Sequence, residues 1–316
     1  MKKIVPIYKD YIWGGSRLKE KYGKYVDGDI LAESWELSSH PDGMCLVEDE
    51  GNQLTLKEYI ESQGEGVLGY KGRDNKELPI LIKLIDAKQD LSIQVHPDDE
   101  YALKNEKQLG KTEMWYILEA EDGAQLVYGL NQDVTKNELK YLIDNNKLGE
   151  VLNYVSVKKG DVFLVEPGTI HAIGKGILLA EVQQNSNITY RVYDYGRKDT
   201  NGNLRELHIN KALEVINLKK MNNITSTYEI KENEGYSSKL LTQCTYFNVE
   251  LIEVEKVARM TVDKRSFQSL LIIEGEGIIQ NSSNRLEIKK GDSIFISAEE
   301  KEYSIEGKLK IIKSTL

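Results

Sequence analysis

In "LSIQVHPDDEYA" (residues 91–102), Ser92, Gln94 and His96 alternate with Leu91, Ile93 and Val95. Period 2 puts the three polar side chains on one face of a strand, where they either meet solvent or line a pocket that holds a ligand. Lys83 raises a similar question, because it interrupts the almost continuous apolar run "PILIKLI". A lysine in such a run needs a reason, and an anionic substrate is one. Taken singly, His96 reads as a hydrogen-bonded or surface histidine, Glu113 in "GKTEMWYIL" as a solvated strand carboxylate, and His171 as a turn residue. Of the four histidines, His40 and His208 have no such context.

The elements that must position these residues are mostly strands. Short β-runs separated by turn signals recur at 79–87, 114–120, 124–130, 161–167, 188–195, 247–255 and 269–279, and eighteen Tyr with many Ile and Val suit them. Three helical patches interrupt the pattern. Residues 98–110 open with Asp98 or Asp99 as N-cap, 133–155 carries a Thr135–Glu138 capping box and reads as a helical insertion, and 54–63 is shorter.

An internal repeat organises the chain. "VKKGDVFLVEPGTIHAIGKG" (157–176) aligns with "IKKGDSIFISAEEKEYSIEG" (288–307) when Gly160 and Gly291 are matched, and "MWYILEAEDG" precedes the first as "SLLIIEGEG" precedes the second. Gly168 falls eight residues after Gly160 and His171 eleven. This spacing resembles the second motif of the cupin barrels, whose histidine is a metal ligand, although proline comes one place late at Pro167, with Glu166 in its usual slot. The matching C-terminal positions are Glu299 and Glu302, so the second copy lacks the ligand. The first cupin motif matches Gln94-x-His96 with Glu113 following. His96, Glu113 and His171 supply the three protein ligands of an open imidazole–carboxylate metal site, with Gln94 a weaker fourth through its amide oxygen.

Together, "LSIQVHPDDEYA", "GKTEMWYIL", "EPGTIHAIGKGILLAEVQ" and "NITYRVYDYGR" resemble the type I phosphomannose isomerases in their short bacterial form, from Trp13 to about Arg197. The resemblance implies one Zn²⁺ held by Gln94, His96, Glu113 and His171. It assigns catalytic roles to Arg191, Glu181 and Lys111, and puts Lys83, Ser92 and Trp13 against the sugar phosphate or at the pocket rim. One extra residue separates Glu181 from His171 compared with longer family members. The implied reaction interconverts mannose 6-phosphate and fructose 6-phosphate through an enediol. Its negative charge suits a Lewis acid and a guanidinium, while the proton shuttle needs an acid/base, for which Glu181 and Lys111 both qualify.

The expected fold is mainly β, with two cupin (jelly-roll-type) β-barrels and helical insertions. Residues 1–235 form the metal-bearing domain and 236–316 a degenerate second one, the polar stretch from about 215 to 240 linking them. A net charge of −9 argues against non-specific nucleic-acid binding. Only Cys45 and Cys244 occur, and no run of 18 apolar residues, so we expect a cytoplasmic, soluble protein with no membrane partner. Two rival readings share the ligand set: an Fe(II) oxygenase-type cupin and a non-catalytic phosphosugar-binding cupin. Lys83, Lys111 and Arg191 favour a phosphosugar over a neutral oxidisable substrate, and intact ligands beside Arg191 favour turnover.

Overall fold

The computed structural model describes the whole chain except residues 50, 65, 74, 76, 199–201 and 223–228; part of the 215–240 linker therefore lies outside the described residues. The fold is mainly β, as expected, but its hydrogen-bonded sheets are open rather than closed barrels. A six-stranded sheet runs in the order Val162–Val165, Glu113–Ala120, Ile177–Gln184, Ile80–Ala87, Glu33–Leu37, Ile7–Lys9. A five-stranded sheet runs Leu152–Ser156, Gln125–Leu130, His171–Ile173, Ile93–Val95, Tyr190–Tyr193. The two pack face to face as a jelly-roll sandwich, which protects its strands by layering instead of closure.

Period 2 divides the central strands between two cores. Ile82, Leu84, Met114, Tyr116, Ala180 and Val182 point to the back, into a cluster shared with Phe247, Leu271 and Phe295 of the C-terminal half. Ile85, Trp115, Ile117 and Leu179 point to the front and pack with Leu126, Tyr128 and Ile173 of the facing sheet. Ile80–Ala87 is buried at every position for that reason. Lys83 therefore points between the sheets, on the same face as Glu113 and Glu181.

The internal repeat is real in three dimensions. Gly160 and Gly291 both turn the chain at positive φ (90° and 92°), where a side chain would strain the backbone. Their amides donate to the equivalent carbonyls of Ile117 and Ile272, each at 2.8 Å. Asp161 accepts from the Lys158 amide and Asp292 from the Lys289 amide, each at 2.9 Å. Glu302 is exposed at the start of its strand.

Other boundaries shift. The 133–155 insertion is helical only over Lys136–Asp144, followed by a single 3₁₀ turn at Leu148–Glu150. Asn146 takes positive φ after the helix, and Leu152–Ser156 then joins the five-stranded sheet as its edge. The helix expected over 98–110 covers Asp99–Asn105, capped by Asp98, which accepts from the Tyr101 amide at 2.9 Å. Helices at Arg17–Tyr22 and Ile209–Val215 were not legible from the pattern. A third, 11-stranded sheet holds the strands from Ile230–Asn233 to Glu302–Thr315, and Lys2–Val5 pairs with its Ser293–Ile296 and so joins N-terminal strands to it. Among the described residues no helix is long and apolar enough to cross a membrane.

Candidate active site

The five-stranded sheet presents one row of polar side chains. His171 is the cross-strand partner of Gln94 on one side, and Arg191 is its partner on the other. His96 follows at the end of the same strand. From the facing sheet, Glu113 comes within 3.3 Å of His96 (Oε1 to Nε2) and 3.7 Å of His171 (Oε2 to Nε2). Gln94 Nε2 stands 3.4 Å from His171 Nε2. The His171 ring is oriented from behind by Nδ1, 2.8 Å from the Thr169 carbonyl, which leaves Nε2 facing Glu113.

Both ring nitrogens of His96 and both oxygens of Glu113 are buried and make no hydrogen bond. Buried polar atoms are almost always partnered; here the His96 nitrogens and the Glu113 oxygens have only each other, His171 and the Lys111 ammonium close by, which leaves lone pairs to offer a cation. Burial, reinforced by the Lys111 ammonium, lowers His96 to about 3, and burial also lowers His171. Both imidazoles are thus neutral near pH 7, with lone pairs available. Burial alone would raise Glu113, but Lys111 and the two imidazoles overcome it and hold the carboxylate well below its usual range. Lys111 Nζ stands 2.8 Å from Glu113 Oε1. The ligand atoms of His96, Glu113 and His171 lie within 4.8 Å of one another. Their closer separations approach the edge of about 3.4 Å in a tetrahedron with metal–ligand bonds of ~2.1 Å. The residues fit a divalent cation that accepts nitrogen and oxygen.

Beside this centre the six-stranded sheet builds a second group. Trp35, Lys83, Glu181 and Trp115 are successive cross-strand partners. Lys83 Nζ lies 3.4 Å from Glu181 Oε1 and 3.8 Å from Glu33 Oε2. The Trp115 indole donates to Glu181 Oε2 at 3.1 Å, and the Trp35 indole to Glu33 Oε2 at 2.7 Å. Burial, and secondarily the Glu113 charge, raises Glu181 above the ordinary carboxylate range. Burial alone would lower Lys83, but Glu33 and Glu181 outweigh it and hold the ammonium above its usual value.

Arg191 closes the third side. Its Nε donates to Ser92 Oγ at 3.3 Å and its Nη1 to the Glu206 carbonyl at 3.0 Å. Burial lowers its basicity, as does the nearby Arg205 charge. Asp194 gathers both Arg197 and Arg205, so three guanidiniums share one edge of the site. His208 stands behind Arg191 and accepts from its amide through Nδ1 at 3.3 Å. Trp13 is 3% exposed within the cluster between the sheets; its neighbour Tyr11, with ring centroids 5.6 Å apart, is 40% exposed. Sequence reasoning missed Glu33, Trp35, Trp115 and the Asp194 clamp. The one available signal was the acid and tryptophan pair in "AESWELSS", which has strand alternation like "LSIQVH".

A jelly-roll sandwich enclosing two imidazoles, a carboxylate and a lysine–glutamate pair defines a cupin-type protein with a candidate metal and acid–base centre. Residues 1–151 match the model of the phosphomannose isomerase type I catalytic domain, and residues 237–316 match that of the mannose-6-phosphate isomerase cupin domain. The chain is 39% identical to mannose-6-phosphate isomerase ManA of Bacillus subtilis over 313 residues, 98% of this chain and 97% of that one. It is 34% identical to the mannose-6-phosphate isomerase of Streptococcus mutans over 96% of this chain and 94% of the other. The crystal structure of the Bacillus subtilis mannose 6-phosphate isomerase superposes with a TM-score of 0.94 at 35% identity, covering 100% of this chain and 99% of that one. The chain belongs to the type I mannose-6-phosphate isomerase family, a family of aldose–ketose isomerases.

Proposed function

We propose that this chain is a Zn²⁺-dependent isomerase that interconverts D-mannose 6-phosphate and D-fructose 6-phosphate by proton transfer through an enediol. The observation that carries the reading is the buried His96–Glu113–His171 cluster, with Lys111 against Glu113, the Lys83–Glu181 pair on the same sheet face as Glu113, and Arg191 one strand over from Gln94. His96, Glu113 and His171 would hold the metal. Gln94 would join them through its amide oxygen, which a half-turn of the terminal amide brings to where its nitrogen now faces His171. Bound there, Zn²⁺ supplies a Lewis acid for negative charge on the sugar oxygens.

The chain's own groups do the rest. Glu181 is the preferred acid/base: it is buried beside the metal cluster, paired with Lys83 and hydrogen-bonded by Trp115, and burial raises its pKa above the ordinary carboxylate range, the direction that suits a group that must both take and return a proton. Lys111 sits against Glu113 and serves as the second candidate. Arg191, held by Ser92 and the Glu206 carbonyl, presents a fixed positive charge to the enediol or phosphate. Lys83 contributes a second cation on the opposite wall, and Trp13 backs the rim on which Tyr11 is exposed. Residues 1–235 are then the catalytic part, and 236–316 a degenerate cupin without the ligand set.

A coupled assay of fructose 6-phosphate formed from mannose 6-phosphate, in metal-replete protein and after chelation, tests this reading. Turnover lost on chelation and restored by Zn²⁺ supports it. A metal-replete protein that turns nothing over sinks it.

A further inference from the structure

The segment Gly110–Glu113 carries both Lys111 and Glu113, yet it enters the site from a loop, and residues 236–316 contribute none of the site residues named above. A chain of hydrogen bonds joins the two. The Tyr246 hydroxyl donates to Asp99 Oδ2 at 2.7 Å. Asp99 Oδ1 accepts from the Gly110 amide at 2.7 Å and from Gln184 Nε2 at 3.0 Å. Gln184 Oε1 accepts from the Thr112 amide at 2.9 Å, and the Gln184 amide donates to the Thr112 carbonyl at 3.1 Å. The Lys111 amide donates to the Pro97 carbonyl at 3.0 Å. Every amide from Gly110 to Thr112 is thus held. Gly110 is packed so closely that a Cβ there would stand 2.4 Å from the Asp98 carbonyl carbon. Tyr246 is itself fixed: Phe247 is fully buried in the core shared by both halves, and its carbonyl accepts from the Cys244 amide at 3.0 Å.

We propose that Tyr246 is a positioning residue for the active site. Acting through Asp99 and Gln184, it straps Gly110–Thr112 in place and so aims Lys111 and Glu113 at the metal centre. This gives residues 236–316 a role in the reaction besides packing. The chemistry it serves rests on the metal reading above. Outer partners of metal ligands are commonly worth about 10–100-fold in metal affinity or activity.

The test is Tyr246→Phe in the full chain, which removes one oxygen and keeps the ring. Amide hydrogen exchange at Gly110 and Thr112 is expected to quicken about tenfold, while Ile82 and Leu84 in the central strand keep their rates. Zn²⁺ affinity, read by chelator competition, falls about tenfold, and kcat falls more than KM rises. Adding Tyr246→Phe to Asp99→Ala should change nothing further, because the hydroxyl acts only through that carboxylate. Unchanged exchange at Gly110 and Thr112 would overturn the strap. Faster exchange with parental zinc affinity and kcat would overturn its positioning role, as would a uniform rise in exchange that marks general destabilisation. A parent protein that binds no Zn²⁺ would instead defeat the metal reading, and the exchange result would still judge the strap.

Discussion

Lys83 and Glu181 are direct cross-strand partners whose charged ends stand 3.4 Å apart, each side chain about 5% exposed or less. The pair shares its face with Glu113 and with apolar Ile85, Trp115 and Leu179, and Glu33 completes a carboxylate–ammonium–carboxylate group. Removing the central cation leaves two buried carboxylates facing each other. Lys83→Met is therefore expected to destabilise the protein by about 3–5 kcal/mol in denaturant unfolding, since one member of a buried ion group is left uncompensated. Turnover by the folded fraction should fall by a factor of ~10² or more.

Glu181 predicts the shape of the pH–rate profile. Its pKa is raised in the folded protein, chiefly by burial, so the base form is reached only above the usual range of a glutamate. If the ionised carboxylate takes the proton, kcat/KM rises with pH through that raised value. The acid limb then lies above the ordinary 4.5. Glu181→Gln should remove this limb with the loss of ~10²–10⁴-fold in rate. A limb that survives the substitution assigns the proton to Lys111 or another group.

Arg191 is placed to act on charge without holding metal, since its partners are Ser92 and a backbone carbonyl. Arg191→Ala should lower kcat by about 10²–10³ while zinc content, measured by elemental analysis, stays at the parental level. Loss of zinc in this variant would give the arginine a structural role.

His96 and His171, both fully buried, contribute to the acid response of the protein. His96 is depressed from 6.5 to about 3, first by burial and then by Lys111, and burial lowers His171 as well. The unfolded chain takes up protons near 6.5 and the folded one does not, so the unfolded state binds more protons between those values. Stability is full above about pH 6.5 and declines as pH falls toward 3. His96→Gln should flatten that decline in urea unfolding curves recorded across this range.

Much of this site was legible because its residues break local patterns. His96 and Gln94 share a strand face, Lys83 interrupts an apolar run, and the Gly160–Asp161 turn recurs at Gly291–Asp292. What the sequence hid came from pairing between distant segments. The chain Trp35–Lys83–Glu181–Trp115 exists only once four strands are in register, and a bulge between Trp35 and Leu37 obscures that register in the sequence. Lys2–Val5 is four residues long, too short a run to announce itself or its partner Ser293–Ile296. Ile209–Val215 is under two turns long, and its N-cap, His208, makes no side-chain capping bond. Its helical pattern therefore does not stand out. Tyr246 gave no signal at all, because its partner Asp99 lies 147 residues away.

The most direct test of the account is a zinc titration of the apo protein with mannose 6-phosphate turnover as the readout. Activity should be absent at the start, rise linearly, and break at one Zn²⁺ per chain, with a His171→Ala variant flat throughout. Full activity in the metal-free protein, or none in protein carrying one zinc, would contradict it.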